Sequence, residues 1–300
     1  MKKLIYLILL LFLGNFTFIS CSTEDTTEGS GIIITDPLEA KTILNVSYGP
    51  NSQQVYDIYL PNGRSADNTK VIVLIHGGGW TGGDKLDMGN FVSLIQQYHP
   101  DHAIVNINYV LANTNSPFIP AFPNQFLDLG TVIDQLILQK EELAILPEFG
   151  LIGTSAGAHI SLMYDFVYDT HDVVKMVADI VGPTNFTDPF YAENPLFELA
   201  LNALVDESAY PFGTNYAEVT SPALQVSNTS SPSILFYGNQ DPLVPLANGV
   251  LLNDNLSNSS ITHSFTVYDG GHGDWDDASM INLQLQLTGF INSHLPIIID

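Results

Sequence analysis

At 300 residues and 45% hydrophobic content, the chain has the length and apolar material for one large domain or two small ones. Eight Lys and Arg stand against 32 Asp and Glu, a formal net charge of -24. Such a field repels polyanions and anionic headgroups, so it argues against nucleic-acid partners and electrostatic membrane adhesion, and for a soluble protein kept monodisperse by charge. The single cysteine, Cys21, excludes a disulfide within the chain.

Lys2 and Lys3 open the chain, an apolar run follows from Leu4 to Leu13, and Phe18-Ile19-Ser20 precedes Cys21. The apolar stretch is short for a membrane span. The pattern resembles a bacterial lipoprotein signal, which implies cleavage after residue 20 and lipidation of Cys21. Residues 22–31 are small, polar and acidic, and residues 21–35 read as a flexible acidic tether. Acidic residues directly after the lipid cysteine resemble a surface-export signal of Bacteroidetes-type lipoproteins. The implied location is extracytoplasmic, on a membrane (the outer one by this resemblance) held through the lipid alone, with surface exposure.

Beyond the tether, β-branched and aromatic residues predict a hairpin over residues 42–60, turning at Gly49-Pro50-Asn51-Ser52. Val71-Ile72-Val73-Leu74-Ile75 is apolar throughout, the pattern of a strand buried on both faces. Helices are expected over 86–98 and 126–143, and strands over 103–109, 149–152 and 173–181. Residues 184–231 carry scattered prolines and aromatics and read as an insertion, with one helix-like piece over 196–204. A strand at 233–237, a helix at 246–256, a strand at 264–268 and a helix at 278–294 finish the chain. Strands alternating with helices after a hairpin predict an α/β protein with a mostly parallel, eight-stranded sheet and helices on both faces. No internal repeat is visible, so residues 36–300 read as one domain.

Gly153-Thr154-Ser155-Ala156-Gly157 sits between an apolar strand and a helical run. A serine on such a sharp turn has its hydroxyl exposed at the top of the sheet, and small neighbours permit the turn. Serine needs a base. His272 is the best placed, in Gly270-Gly271-His272-Gly273 after the last strand. His99, His171 and His294 read as surface residues, and His159 points elsewhere. The base needs an acid. Asp241 follows the strand at 233–237, and Asp269 stands too close to His272 in sequence to compete. An oxyanion needs backbone donors, and Gly77 and Gly78 in His76-Gly77-Gly78-Gly79-Trp80, with the amide of Ala156, would supply them. Trp80 and Trp275 flank these loops and are candidate pocket residues, with buried packing the alternative. Asp84 and Asp128 read as loop braces. The acidic turn at 274–277 reads as solvent-facing, without the ligand spacing of a metal site. No cofactor and no metal are expected.

The order Ser155, Asp241, His272 is that of α/β-hydrolases. The chain resembles the esterase/lipase branch of that fold through residues 76–80 (HGGGW), 153–157 (GTSAG), 239–245 (NQDPLVP) and 270–274 (GGHGD), with support from Tyr56-Asp57-Ile58-Tyr59-Leu60-Pro61 and Asn108-Tyr109-Val110-Leu111-Ala112. Within it the chain is most similar to bifunctional/feruloyl-esterase-like hydrolases, and further to hormone-sensitive-lipase-type carboxylesterases and kynurenine formamidases. It departs from hormone-sensitive-lipase-type enzymes in having no N-terminal cap, which implies an open pocket, and in lacking an arginine after Tyr109. The resemblance implies a serine hydrolase acting on carboxylic esters, with acetyl or feruloyl esters of carbohydrates, free or polysaccharide-linked, as substrates and a monomer or weak dimer as its state. An arylformamidase or peptidase on the same fold, and a non-catalytic surface-binding protein, are the alternatives.

Overall fold

The computed structural model describes residues 37–298, so the expected signal, Cys21 and the whole tether lie outside the described residues. Among the described residues eight strands are formed: β1 (Lys41–Ser47), β2 (Val55–Leu60), β3 (Val71–Ile75), β4 (Ala103–Ile107), β5 (Phe149–Thr154), β6 (Val174–Ile180), β7 (Ser233–Gly238) and β8 (His263–Tyr268). They make one sheet in the order β1-β2-β4-β3-β5-β6-β7-β8. β2 runs antiparallel to both β1 and β4, and every other pairing is parallel. This is the α/β-hydrolase fold.

Strand periodicity divides the core in two. Val71, Val73 and Ile75 of β3 point into one apolar cluster, and Ile72 and Leu74 into the other. All five are fully buried, which is why the run carries no polar residue. Helices α1 (Gly89–Tyr98) and α6 (Asp277–His294) cover the second cluster through Val92, Ile95, Leu283, Leu287 and Ile291. Helices α2 (Asn124–Leu138), α3 (Ala156–Met163) and α5 (Ala247–Asn258) cover the first.

Several boundaries differ from the sequence expectation. The stretch expected as one helix over 86–98 opens as a 3-10 turn, Lys85–Met88, whose N-cap Asp84 accepts from the Leu86 amide at 2.9 Å. Asp84 also accepts from Asn108 Nδ2 at 2.8 Å. The run expected as a helix over 126–143 breaks after Leu138 into a separate turn, Lys140–Leu143, closed by Ala144 in the left-handed region at φ 52°. A hydrophobic pattern does not register such a break, because Leu143 stays on the apolar face of the following turn.

The order of the sheet prepares a site. β3 lies between β4 and β5, so the chain leaving β3 crosses to one side while β5 flanks the other. A crevice opens at the strand C-termini at such a switch point. The loops following β3 and β5 are the glycine-rich loop at 76–83 and the turn at Ser155. Between β6 and β7 the insertion supplies α4 (Pro195–Asn202) and short turns. It is tied down from two sides: Asn248 Oδ1 on α5 accepts the amides of Thr184 and Asn185, each at 2.8 Å, and the Ala121 and Phe122 amides donate to Leu204 O at 2.7 and 2.9 Å.

Candidate active site

Ser155 follows β5 directly and is the N-cap of α3, at a positive φ of 52° with ψ -119°. For a residue with a side chain this conformation costs on the order of 1–3 kcal/mol and persists only where the surroundings dictate it. Here they do. A Cβ at Gly157 would overlap the carbonyls of Ile75 and His76, and one at Gly153 would overlap the start of α3. Close packing of α3 onto β3 and β5 therefore needs glycine at both positions. The Ser155 amide donates to Ile180 O at 2.8 Å and pins the turn to β6. Every residue of α3 is buried, and Ser155 at its head is half-exposed.

The turn brings Ser155 to His272. Ser155 Oγ lies 2.9 Å from His272 Nε2, and His272 Nδ1 lies 2.6 Å from Asp241 Oδ2. The Asp241 carboxylate is out of solvent, and its second oxygen accepts from the Leu243 and Val244 amides at 2.8 and 3.0 Å. Burial alone would raise its pKa. The bond from His272 and the two amides outweigh burial, so the group lies below the ordinary carboxylate range and stays ionised. A carboxylate at Nδ1 fixes the tautomer with Nδ1 protonated, which leaves Nε2 as an acceptor for the serine proton. Asp269 instead accepts from Gln240 Nε2 at 2.6 Å.

The loop after β3 approaches the same serine. A Cβ on Gly77 would lie 3.2 Å from Ser155 Cβ, so the loop backbone passes directly over the turn. Gly78, Gly79 and Trp80 all have positive φ, at 120°, 56° and 63°. Among the described residues the amides of Gly77, Gly78 and Ala156 donate to no protein acceptor. His76 stacks on Tyr109 at 4.3 Å, and the Tyr109 hydroxyl donates to His76 O at 2.9 Å.

A cavity of about 390 Å³ contains Ser155 and His272. Trp80 lines it. So do Phe186, Phe190, Tyr191 and Phe197, all from the insertion, with Leu243 at the rim. The insertion was readable only as an aromatic-rich irregular stretch, and nothing in its spacing indicated which rings turn inward. The pocket expected to be open is thus walled on one side by the insertion. Trp275 is not in this cavity, a correction to its candidacy. It is 8% exposed, packs on Tyr268 at 4.7 Å, and its Nε1 donates to Gly271 O at 3.2 Å, propping the His272 loop from behind. His99 also corrects: it is 4% exposed, set edge to face against His102, and burial pushes its pKa down to about 4. In the acidic turn, Asp274 accepts from the Gly271 amide and Asp276 caps α6.

Comparison with known proteins adds family and fold. The BD-FAE family model matches residues 56–256. No curated protein matches. Among solved structures, the chain is similar to a truncated form of a carbohydrate esterase from gut microbiota, with 18% identity and TM-score 0.65 over 84% of this chain and 97% of that one. It is similar to an acetyl ester-xyloside bifunctional hydrolase from Caldicellulosiruptor lactoaceticus, at 17% identity and TM-score 0.65 over 89% of this chain and 100% of the other. A carboxylesterase from Lactobacillus plantarum WCFS1 aligns at 16% identity and TM-score 0.65, over 87% and 99% of the two chains.

Proposed function

The chain belongs to the BD-FAE family, and from that premise we propose that it hydrolyses carboxylic esters, with Ser155 as nucleophile, His272 as general base and Asp241 as the group orienting the base. The observation that carries this reading is the unbroken relay from Ser155 Oγ through His272 to the ionised Asp241, at 2.9 and 2.6 Å.

The steps follow from that geometry. Ser155 Oγ adds to the ester carbonyl as its proton passes to His272 Nε2, and Asp241 stabilises the imidazolium. The carbonyl oxygen becomes an oxyanion next to the amides of Gly77, Gly78 and Ala156, which have no competing protein acceptor. Collapse expels the alcohol, which takes the proton from Nε2, and leaves an acyl-serine. Water then adds with His272 again as base, releasing the acid and restoring the serine.

Acetyl or feruloyl esters of carbohydrates are the proposed substrates. Similarity to a carbohydrate esterase and to an acetyl ester-xyloside hydrolase supports this reading, as does a cavity rimmed by aromatic side chains. The N-terminal pattern supports placing the enzyme outside the cytoplasm on a lipidated Cys21, where polymeric substrates are met, as a monomer or weak dimer. The test is a panel of acetylated xylan, methyl ferulate, N-formylkynurenine and short p-nitrophenyl esters, assayed with wild type and Ser155→Ala. Release of acetate or ferulate by wild type and not by the variant is expected. Turnover of the formamide alone would overturn the ester assignment.

A further inference from the structure

A second cavity of about 260 Å³ lies behind the first. Its exposed lining is almost wholly carbon, from Leu201, Leu204, Ala200, the aromatic rings it shares with the site, and Thr81 and Thr114. The two cavities have four lining residues in common: Gly79, Trp80, Phe186 and Phe197. Gly79 has no side chain, so the wall is the three rings. Trp80 meets Phe186 edge to face at 5.8 Å, and Phe186 meets Phe197 at 5.6 Å.

Trp80 is the ring in this wall whose polar edge is held from outside it. Its Nε1 donates to His159 Nδ1 at 3.2 Å, and His159 Nε2 donates to Thr220 O at 2.8 Å. A carbonyl only accepts, so Nε2 must carry the proton and Nδ1 is left bare for the indole. His159 is fully buried, and burial pushes its pKa down to about 4, which keeps it in that neutral form. His159 thus spans α3, the loop after β3 and the insertion, and presents one acceptor to Trp80.

We propose that Trp80 is the specificity-determining residue of this site: its ring, held by His159, partitions the two cavities and confines the acyl group to the first. The proposal rests on the ester-hydrolase reading above. The second cavity suits an alkyl chain. A sugar placed there would find few partners for its hydroxyls beyond the side chains of Thr81 and Thr114. With the wall in place, short acyl groups are preferred. With it removed, straight-chain acyl groups of six to eight carbons gain room.

The test uses the full chain and p-nitrophenyl esters from acetate to octanoate. Trp80→Ala should raise the octanoate-to-acetate ratio of kcat/KM by about tenfold or more, the scale on which apolar pockets discriminate chain length. The gain should appear chiefly as a lower KM for octanoate. Adding Ala200→Phe, which refills the second cavity from its far side, should return the ratio towards wild type. His159→Leu, which removes the acceptor, should move the ratio in the same direction as Trp80→Ala, and His159→Gln, which keeps an acceptor and a donor, should restore it. Should Trp80→Ala fail to fold, Trp80→Phe opens a smaller gap and should shift the ratio about threefold. An unchanged ratio in whichever Trp80 variant folds, with acetate turnover present, overturns the wall and leaves the ester reading standing. Wild type inert on every ester takes both down.

Discussion

Ser155 and Phe186 line the same cavity and are held there by different means. At Ser155 the main chain decides. Neighbouring strands and α3 approach so closely that Gly153 and Gly157 cannot carry a Cβ, and the serine between them is forced to φ 52°. At Phe186 side chains decide. The ring is 1% exposed and held among Trp80, Tyr191 and Phe197, in a segment with little regular structure of its own. On the proposed function, the relay, which needs tenths of an ångström, rests on backbone constraint, and the fit of the acyl group rests on replaceable rings.

Removing the hydroxyl of Ser155 should cost the most. Ser155→Ala should lower kcat on p-nitrophenyl acetate by about 10⁴-fold or more, with Tm little changed, because alanine keeps the Cβ and with it the same backbone strain. Asp241→Asn should cost about 10³–10⁴-fold, since the amide no longer fixes the tautomer of His272. Steady-state kinetics on the two variants would check both. Gly157→Ala should act on folding itself, at about 3 kcal/mol or more in urea denaturation, because the new methyl meets two carbonyls rather than a yielding side chain. Phe186→Leu should be milder, about 1–2 kcal/mol by the same measurement, with kcat on acetate esters within a few-fold of wild type. Equal losses from Gly157→Ala and Phe186→Leu would erase the distinction between the two regions.

The smallest effect is in pH. Burial raises the carboxyls of Asp165 and Asp179 to about 7. The Tyr237 hydroxyl lies 2.6 Å from Asp179 Oδ2 and 2.7 Å from Gly182 O, so its single proton cannot serve both oxygens. A protonated Asp179 supplies the second. A folded pKa above the unfolded value of about 3.9 means stability fully present below that value and lost as pH rises through about 7. His99 and His159, lowered to about 4, act with the opposite sign between pH 4 and 6.5 and offset it there. His76, His102 and His294 are lowered by burial as well, and unfolded histidines are still half protonated at about pH 6.5, so both sets act together up to about pH 7. Asp179→Asn removes one carboxyl and no histidine, so the Tm of the variant minus that of wild type should rise from about pH 4 to 8, as scanning calorimetry would detect.

The two regions also differ in how far the sequence foretells them. Backbone constraint selects residue types, so the glycines at 153 and 157, the run at 77–79 and the order of Ser155, Asp241 and His272 were legible before any coordinates. So were the eight strands, whose apolar runs and alternation follow directly from burial. Side-chain packing selects only size and polarity. Nothing in residues 184–231 distinguished Phe186, which turns inward, from Phe212, which is fully exposed. Trp80 and Trp275 looked alike beside their loops, and only the fold separates the cavity wall from the prop behind Gly271. His159, at helical spacing from Ser155, gave no sign of its bond to Trp80, because its partners lie 79 and 61 residues away.

An activated nucleophile at Ser155 would react with a fluorophosphonate probe, and intact-protein and peptide mass spectrometry after treatment reads that reaction out. One phosphonyl adduct on the peptide containing Ser155, absent from Ser155→Ala and much slowed in His272→Ala, is the predicted result. An unlabelled wild type, or labelling that persists when Ser155 is replaced, would contradict it.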